Sequence, residues 1–356
     1  MTRWDLKTPK LKCRRKAKNL HFCERVEISE YSFVMEIVVT GAAGYIGSHI
    51  CRELLSEGFE VVAIDDLSTG KREFIDSRVK FYEGKIQDIT FLGNVFSDLV
   101  NPTKVGVIHC AGLKFAGQSM KYPLDYYENN SFAVQILLLV MQRFKVQSLV
   151  FSSSCSVYGN VETLTPVGEN FPCNPVSPYG RSKMFAEKII QDEILSSGLK
   201  AVALRYFNVA GNAEGVGYDI SPFNLFPNLY RAIGNQLAFS VFGGKFNTAD
   251  GSCIRDYVDV SLLAKAHITS LKKLMAGESL EFAYNLGSGE GASVYEIVQA
   301  AREEISPELQ CVTIAARAGD PAQILADTSL AKRDLSWEHS VSIREMVLSG
   351  WKVWNS

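Results

Sequence analysis

The apolar run Ile37-Val38-Val39-Thr40 leads directly into Gly41-Ala42-Ala43-Gly44-Tyr45-Ile46-Gly47. Helix-forming sequence then continues from Tyr45 to Glu57. The pattern predicts a strand, a tight glycine turn and a helix. In such a unit the glycines let the backbone approach a ligand closely, and the helix N-terminus binds a pyrophosphate through its amides and its dipole. Because the glycine spacing is GxxGxxG rather than GxGxxG, a dinucleotide site also requires an acidic residue at the end of the next strand.

The next predicted strand does end in an acidic residue. It reads Glu60-Val61-Val62-Ala63-Ile64-Asp65-Asp66, which places Asp65 18 residues after Gly47. The Asp65 carboxylate can accept hydrogen bonds from the hydroxyls of an adenosine ribose and would repel a 2′-phosphate, so NAD is favoured over NADP. Lys71 and Arg72 weaken this preference slightly. The alternative, a purely structural glycine turn, does not explain the complete strand–turn–helix–strand–Asp context.

Short β-branched runs alternate with helical segments along most of the chain. Strands are predicted near 35–40, 60–65, 78–82, 105–110, 147–153 and 200–206, with helices near 45–57, 91–100, 119–144 and 178–196. This alternation predicts an α/β fold of the Rossmann type, a doubly wound parallel sheet with helices on both faces. Residues 35–210 form the expected NAD-binding domain. The less regular residues 211–356 form a smaller, mixed α/β substrate region, from which later segments could return to the sheet.

Tyr179 and Lys183 stand four residues apart in Ser177-Pro178-Tyr179-Gly180-Arg181-Ser182-Lys183. On a helix, positions i and i+4 share a face. A phenol has an ordinary pKa of about 10, and an ammonium group one turn away is expected to lower it. Tyr179 would then serve as a general base for a sugar or alcohol hydroxyl. Taken alone, the pair also fits two ordinary surface residues.

Composition is that of a globular protein, with 47% hydrophobic and 21% charged residues and a net charge of −2. Residues 1–34 carry nine basic and four acidic residues. The remainder carries 28 basic and 35 acidic residues. Because its net charge is negative, the remainder is not expected to bind nucleic acid. The basic tail could be a nucleic-acid patch or a targeting segment, but no apolar segment follows it and acidic residues interrupt it. We expect a disordered extension, or a translation start at Met35.

The eight cysteines are scattered, without a CxxC pair or a Cys/His cluster, so no metal site is expected. A reducing cytoplasm is the expected location. The longest apolar stretch, residues 136–141, is too short to span a bilayer, so no membrane association is expected.

Several further motifs recur in one known family. They are Asp65-Asp66-Leu67-Ser68, His109-Cys110-Ala111-Gly112-Leu113-Lys114, Tyr126-Tyr127-Glu128-Asn129-Asn130, Ser152 to Gly159, Arg205-Tyr206-Phe207-Asn208, Arg255-Asp256-Tyr257, Tyr284-Asn285-Leu286-Gly287 and Arg317-Ala318-Gly319-Asp320. From Met35 to about Trp351, the chain resembles the UDP-glucose (UDP-galactose) 4-epimerases of the extended short-chain dehydrogenase/reductase superfamily.

The resemblance implies a role for each matched residue. Tyr179 would take the proton of the sugar 4-hydroxyl, Lys183 would lower the tyrosine pKa and bind the nicotinamide ribose, and Ser154 would bind the 4-oxygen. NAD would be held by Gly41, Gly44, Tyr45, Ile46, Gly47, Asp65, Ile86, Ala111, Gly112, Lys114, Asn130 and Phe207. The UDP-sugar would be held by Asn208, Asn224, Phe242, Arg255, Arg317 and Asp320. The two arginines suit a diphosphate because a guanidinium donates in a bidentate fork.

The residues around Ser154 and after Gly84 qualify the resemblance. Related nucleotide-sugar dehydratases carry an Asp-Glu pair where this chain has Cys155-Ser156, so elimination of water is disfavoured. The family usually has an aspartate near the adenine at the position of Lys85, which cannot accept a hydrogen bond. The chain is therefore predicted to be a divergent member, with weaker NAD retention.

Three functions follow from these patterns. The first is interconversion of UDP-glucose and UDP-galactose. The second is 4-epimerisation of another UDP-sugar, such as UDP-N-acetylglucosamine, UDP-glucuronate or UDP-xylose. The third is a non-catalytic NAD-binding protein. The family's spacing after Arg317-Ala318-Gly319-Asp320 places Ile324 beside the sugar 2-substituent. The resemblance also implies a homodimer formed by the helix near 119–144 and the helix that carries Tyr179.

Overall fold

The computed structural model describes residues 35–161, 165–213, 215–316 and 321–356. The predicted N-terminal extension over residues 1–34, Arg317 and Asp320 lie outside the described residues. The strands are β1 Glu36–Thr40, β2 Glu60–Asp65, β3 Lys80–Glu83, β4 Gly106–His109, β5 Ser148–Ser152, β6 Lys200–Tyr206, β7 Asn208–Ala210, β8 Phe239–Phe242, β9 Ile254–Arg255, β10 Tyr257–Asp259, β11 Ala283–Leu286, β12 Ala292–Ser293, β13 Cys311–Ile314 and β14 Gln323–Ile324. The helices are α1 Tyr45–Ser56, α2 Ile89–Ser97, α3 Ala116–Ser119, α4 Pro123–Tyr127, α5 Ala133–Phe144, α6 Pro178–Ser197, α7 Leu225–Gly234, α8 Val260–Ala276, α9 Val294–Glu304, α10 Ser329–Leu335 and α11 Ile343–Trp354.

A seven-stranded parallel sheet forms the centre of the molecule, in the order β11-β6-β5-β4-β1-β2-β3. The order reverses at β1, between β2 and β4, so a crevice opens at the carboxyl ends of β1 and β4. The predicted Rossmann-type doubly wound sheet is confirmed. All six strands predicted from β-branched runs are present, with ends that differ by a few residues.

Two apolar cores cover the two faces of this sheet, as the alternation of side chains along buried strands requires. On one face, Ile37 and Val39 of β1 pack with side chains of α1 and α8. On the other face, Val38 of the same strand packs with side chains of α2, α5 and α6. The segments that return to the sheet from beyond residue 210 include β11 and α8.

The helix predicted over 119–144 begins instead at Pro123. Proline has no N–H and clashes with the preceding turn of a helix, so it is tolerated only at a helix start. A short helix, α3, ends at Ser119, and α4 begins at Pro123. The helix then passes through a π-helical turn, Glu128–Phe132, into α5. Such turns are frequent at functional sites, and this one carries Asn130.

The remaining elements form a smaller layer around a third core. Helices α7, α9 and α11 pack there with β8 and β10. Three short sheets support them, in the orders β10-β7, β12-β9-β14 and β13-β8. None of the helices in the described ranges has both the length and the apolar character needed to cross a lipid bilayer.

Candidate active site

The glycine turn after β1 brings three stretches of backbone into close contact. Gly41 has a φ of +68°, in the left-handed region, and a Cβ there would lie 2.6 Å from the backbone nitrogen of Ala111. A Cβ at Gly47 would overlap the carbonyl oxygen of Gly41. The turn therefore needs glycine at both positions. Gly44 precedes α1 without a side-chain cap, so the first-turn amides of α1 face the crevice.

Asp65 ends β2 beside this turn. Its carboxylate accepts the N–H of Ala43 at 2.9 Å and the N–H of Leu67 at 2.8 Å. Burial raises the pKa of Asp65, while these two backbone amides lower it. The two amides fix the carboxylate at the rim of the crevice, where it lines the cavity.

A cavity of about 500 Å³ occupies the crevice. Its lining includes most of the predicted cofactor residues: Gly41, Gly44, Tyr45, Ile46, Gly47, Asp65, Ile86, Ala111, Gly112, Lys114, Tyr179 and Lys183. An uncapped helix N-terminus, a turn that a Cβ would fill and a carboxylate at the end of β2 fit a dinucleotide with unphosphorylated ribose hydroxyls. The residues present therefore fit NAD.

Asn130 and Phe207, two predicted cofactor residues, are not in the cavity lining. Asn130 Oδ1 accepts the N–H of Leu113 at 2.8 Å, and its Nδ2 donates to the Leu113 carbonyl and to Ser182 Oγ, each at 2.9 Å. Asn130 thus joins the loop after β4 to α6. Phe207 is buried, and its N–H donates to the carbonyl of Leu286.

Helix α6 positions Tyr179 and Lys183. Ser177 caps it by accepting the N–H of Gly180, and Pro178 begins it. Both Tyr179 and Lys183 are buried, as is Ser154, which follows β5. The Lys183 ammonium donates to the Ser152 carbonyl at 2.8 Å and lies 4.8 Å from the centre of the Phe151 ring. The carboxyl end of β5 and the first turns of α6 thus meet, as the motifs predict.

The expected lowering of the Tyr179 pKa by Lys183 is wrong for this structure. Burial raises the pKa of Tyr179 to about 12, and a hydrogen bond with Ser154 offsets part of the rise. Burial likewise lowers the pKa of Lys183 to about 8. The sequence could not reveal this, because burial dominates the pKa of both groups and a spacing of four residues does not encode burial. The protein groups alone therefore hold Tyr179 as a neutral phenol.

Lys85, the departure from the family pattern, is exposed. The cavity wall beside it is formed by Gly84, Ile86 and Gln87. The Gln87 amide donates to Asn129 Oδ1 at 2.8 Å. Gln87 was missed from the sequence, because its position within the cavity depends on the turn after β3 rather than on a motif.

The predicted substrate residues lie on short elements of the smaller layer. Asn208 begins β7, Phe242 ends β8, and Asn224 immediately precedes α7. Arg255 of β9 pairs in register with Ile324 of β14. Ile324 also packs against the apolar cluster that contains Val157, as does Cys155, just after Ser154. The structure therefore brings Ile324, Arg255 and the Ser154 segment to one place.

Asp219 is a cavity residue that the sequence did not reveal. Its Oδ1 accepts from Lys114 Nζ at 3.0 Å, and its Oδ2 accepts from Asn224 Nδ2 at 2.6 Å. It lies in an irregular loop, where no periodicity or glycine pattern marks a functional position. Phe115 and Tyr218 also line the cavity and were missed for the same reason.

Comparison with known proteins agrees with this site. The family model described as "NAD dependent epimerase/dehydratase family" matches residues 37–287. The UDP-glucose 4-epimerase of Lacticaseibacillus casei is 40% identical over 323 residues, which cover 89% of this chain and 96% of that protein.

Two solved structures share the fold. The UDP-glucose 4-epimerase from Brucella ovis, in complex with NAD, has a TM-score of 0.84 and 35% identity, and covers 90% of this chain and 98% of its own. The enzyme from Bifidobacterium longum, in complex with NAD⁺ and UDP, has a TM-score of 0.82 and 33% identity, with the same coverage of both chains. By its sequence, its sheet and its cofactor cavity, the chain belongs to the NAD-dependent epimerase/dehydratase family.

Proposed function

We propose that this protein interconverts UDP-glucose and UDP-galactose by NAD-dependent oxidation at C4 of the sugar, rotation of the 4-keto sugar in the site and re-reduction at its other face. One observation carries the proposal: Tyr179 and Lys183 line a cavity that fits a dinucleotide, and Ser154 hydrogen-bonds Tyr179. Relatives that are about 40% identical over nearly their whole length are named UDP-glucose 4-epimerase.

The proposed chemistry assigns each catalytic group one task. Tyr179 Oη accepts the proton of the sugar 4-hydroxyl and later returns it, and Ser154 Oγ hydrogen-bonds the 4-oxygen. NAD, when bound, supplies a cationic ring that takes a hydride from C4 and gives it back. Because Tyr179 lines the same cavity, positive charge there favours its phenolate and opposes the effect of burial on its pKa. Lys183, held by the Ser152 carbonyl, would bind the nicotinamide ribose.

The segment after Ser154 favours epimerisation over loss of water. Dehydration across C5–C6 needs an acid and a base beside the sugar. Here the next residue is Cys155, and burial raises the pKa of its thiol to about 12. A neutral thiol followed by Ser156 supplies neither group at neutral pH.

The UDP-sugar itself is proposed to lie across the smaller layer. Asn208, Asn224, Phe242 and Arg255 would bind it, together with Arg317 and Asp320 outside the described residues. Arg255 lies on β9, in register with Ile324 and close to the Ser154 segment. A guanidinium at this place suits the diphosphate between uridine and sugar.

A panel of UDP-sugars tests the proposed function. Purified protein is incubated with UDP-galactose, UDP-N-acetylglucosamine, UDP-glucuronate and UDP-xylose in turn, and the products are separated by chromatography. We expect UDP-glucose from UDP-galactose as the fastest conversion. Faster conversion of another sugar would reassign the substrate, and no conversion of any sugar would leave a non-catalytic NAD-binding protein.

Ile324 is expected to set the tolerance for a 2-N-acetyl group. Its β-branched side chain is stiff at χ1, and it packs against the cluster that contains Val157, as Cys155 also does. We predict slower turnover of the N-acetylated sugars, by about 10–200-fold, the usual effect of crowding in a pocket. Ile324→Ser should raise N-acetyl turnover relative to plain hexose turnover, and Ile324→Tyr should abolish it.

Competition between UDP-galactose and UDP-N-acetylgalactosamine, measured as a ratio of kcat/KM values, checks this prediction. Val312→Ser is a suitable control, since Val312 is exposed on β13. An unchanged ratio in both Ile324 variants would remove Ile324 from the sugar pocket.

We predict a homodimer formed through α5 and α6. Leu139 on α5 is 46% exposed and Phe185 on α6 is 44% exposed, although both helices already bury apolar faces against the sheet. Exposed apolar side chains on adjacent helices are typical of an interface. Light scattering at micromolar concentration should give twice the chain mass. The double variant Leu139→Asp, Phe185→Asp should give the mass of a single chain. A wild-type monomer would contradict the dimer.

We also infer a cytoplasmic location. Cys51, Cys110, Cys155, Cys173 and Cys311 are thiols rather than disulfides, as expected in a reducing compartment. Cell fractionation would test this inference.

A further inference from the structure

We propose that Asp219 is a positioning residue that couples the cofactor side of the site to its substrate side. This inference rests on the proposed function, because it takes a UDP-sugar as the ligand. Three groups donate to the Asp219 carboxylate: Lys114 Nζ at 3.0 Å, the N–H of Ser221 at 3.2 Å and Asn224 Nδ2 at 2.6 Å. One acceptor thus holds a residue assigned to the cofactor and a residue assigned to the substrate.

The location of these groups explains why one carboxylate can couple them. Lys114 belongs to the loop that leaves β4, at the switch point of the large sheet, whereas Asn224 immediately precedes α7 in the smaller layer. The two residues are far apart in sequence, and the loop carrying Asp219 lies between their elements. A second contact joins the same loops, because the rings of Phe115 and Phe223 meet edge to face with centroids 5.0 Å apart.

Asp219 is the more buried partner in its ion pair with Lys114. The Asp219 side chain is 12% exposed, whereas the Lys114 side chain is 45% exposed. Ser221 and Asn224 also donate to the carboxylate, whereas Lys114 contacts it from the more exposed side. An ammonium carries three N–H donors, so Lys114 can keep its bond to Asp219 and still donate to a ligand in the cavity. The Asn224 amide likewise has a second N–H for a ligand.

Charge alone predicts the opposite effect of removing Asp219. A carboxylate at the cavity repels the diphosphate of a bound nucleotide, so its neutralisation should tighten nucleotide binding. A positioning role predicts weaker binding, because Lys114 and Asn224 lose the acceptor that orients them. The sign of the change in UDP affinity therefore separates the two roles.

The test compares Asp219→Asn with the wild-type full-length protein. UDP binding is measured by calorimetry, bound NAD by release from the purified protein, and kcat and KM with UDP-galactose. We expect the UDP Kd to rise about tenfold, the effect of losing a charge-assisted hydrogen bond. We also expect KM to rise in parallel with little change in kcat. In a Lys114→Met background, the same substitution should have a smaller effect.

Two further variants complete the test. Asp219→Glu keeps the charge but displaces the carboxylate, so it should also weaken UDP binding, whereas a purely electrostatic role predicts no change. Glu73→Gln removes one charge from the exposed Lys71–Glu73 pair and should leave UDP binding unchanged. UDP binding to Asp219→Asn that is as tight as wild type, or tighter, would overturn the proposal. Wild-type protein that binds UDP but epimerises no sugar would contradict the proposed function alone, and wild-type protein that does not bind UDP would overturn both.

Discussion

Tyr179→Phe is expected to lower the turnover of UDP-galactose by at least about a hundredfold, the lower range for loss of a general base. The substitution removes only the phenolic oxygen. It keeps the ring, which lies edge to face against Tyr126 at 6.3 Å between centroids. UDP affinity and bound NAD should remain close to wild type, so the loss should fall on kcat rather than on KM. Steady-state kinetics combined with UDP calorimetry measures both quantities.

Tyr230→Phe is the matched control for this prediction. Tyr230 is also buried, and its hydroxyl donates to the carbonyl of Val347 at 3.0 Å, in the third core. It tests the cost of losing a buried phenolic oxygen away from the proposed chemistry. Equal losses of turnover in both variants, or near-wild-type turnover in Tyr179→Phe, would remove Tyr179 from the role of base.

Glu187→Ala is expected to destabilise the fold by about 3–5 kcal/mol, the usual cost of removing one partner of a buried ion pair. Glu187 and Arg205 form a bidentate pair, with Arg205 Nη2 2.6 Å and Arg205 Nε 3.0 Å from the two carboxylate oxygens. Their side chains are 4% and 7% exposed. Removal of Glu187 would leave the guanidinium buried without its counter-charge. Denaturant unfolding monitored by fluorescence gives the free energy of unfolding.

The same pair also supports the catalytic segment. Glu187 stands one helical turn beyond Lys183 on α6, and it accepts the hydroxyl of Ser153 at 2.5 Å. It therefore ties the residue next to Ser154 to the helix that carries Tyr179. Lys272→Ala, which breaks the exposed pair with Glu57, is the control and should change stability little. Equal stability of Glu187→Ala and wild type would show that Arg205 finds other partners.

Much of the large sheet could be predicted because its strands are buried on both faces. Such strands are continuous apolar runs in the sequence. The strands β1, β2 and β5 each coincide with an apolar run of this kind. The glycine turn was also predictable because its backbone geometry admits few residue types, and Asp65 because it is the acidic residue that ends the next strand. The helix expected from residue 119 is shorter in the structure, because Pro123 begins a new helix rather than continuing one.

The parts of the site that escaped prediction depend on long-range packing. Asp219 meets Lys114 only because two distant loops converge at the crevice. The pKa of Tyr179 depends on how deeply the phenol is buried, which a spacing of four residues does not encode. The contacts by which Asn130 joins the loop after β4 to α6 likewise depend on long-range packing. Sequence motifs thus predicted the glycines and Asp65 that line the cavity, and packing determined what the other side chains contact.

Conversion of UDP-galactose that carries deuterium at C4 tests the proposed function most directly. Wild-type protein, purified with its NAD, is incubated with the labelled sugar and without added reductant. If hydride leaves C4 and returns to C4 within one site, UDP-glucose should form with the deuterium still at C4 and without net formation of NADH. UDP-glucose that has lost the label, or the absence of UDP-glucose from protein that holds NAD, would contradict the account.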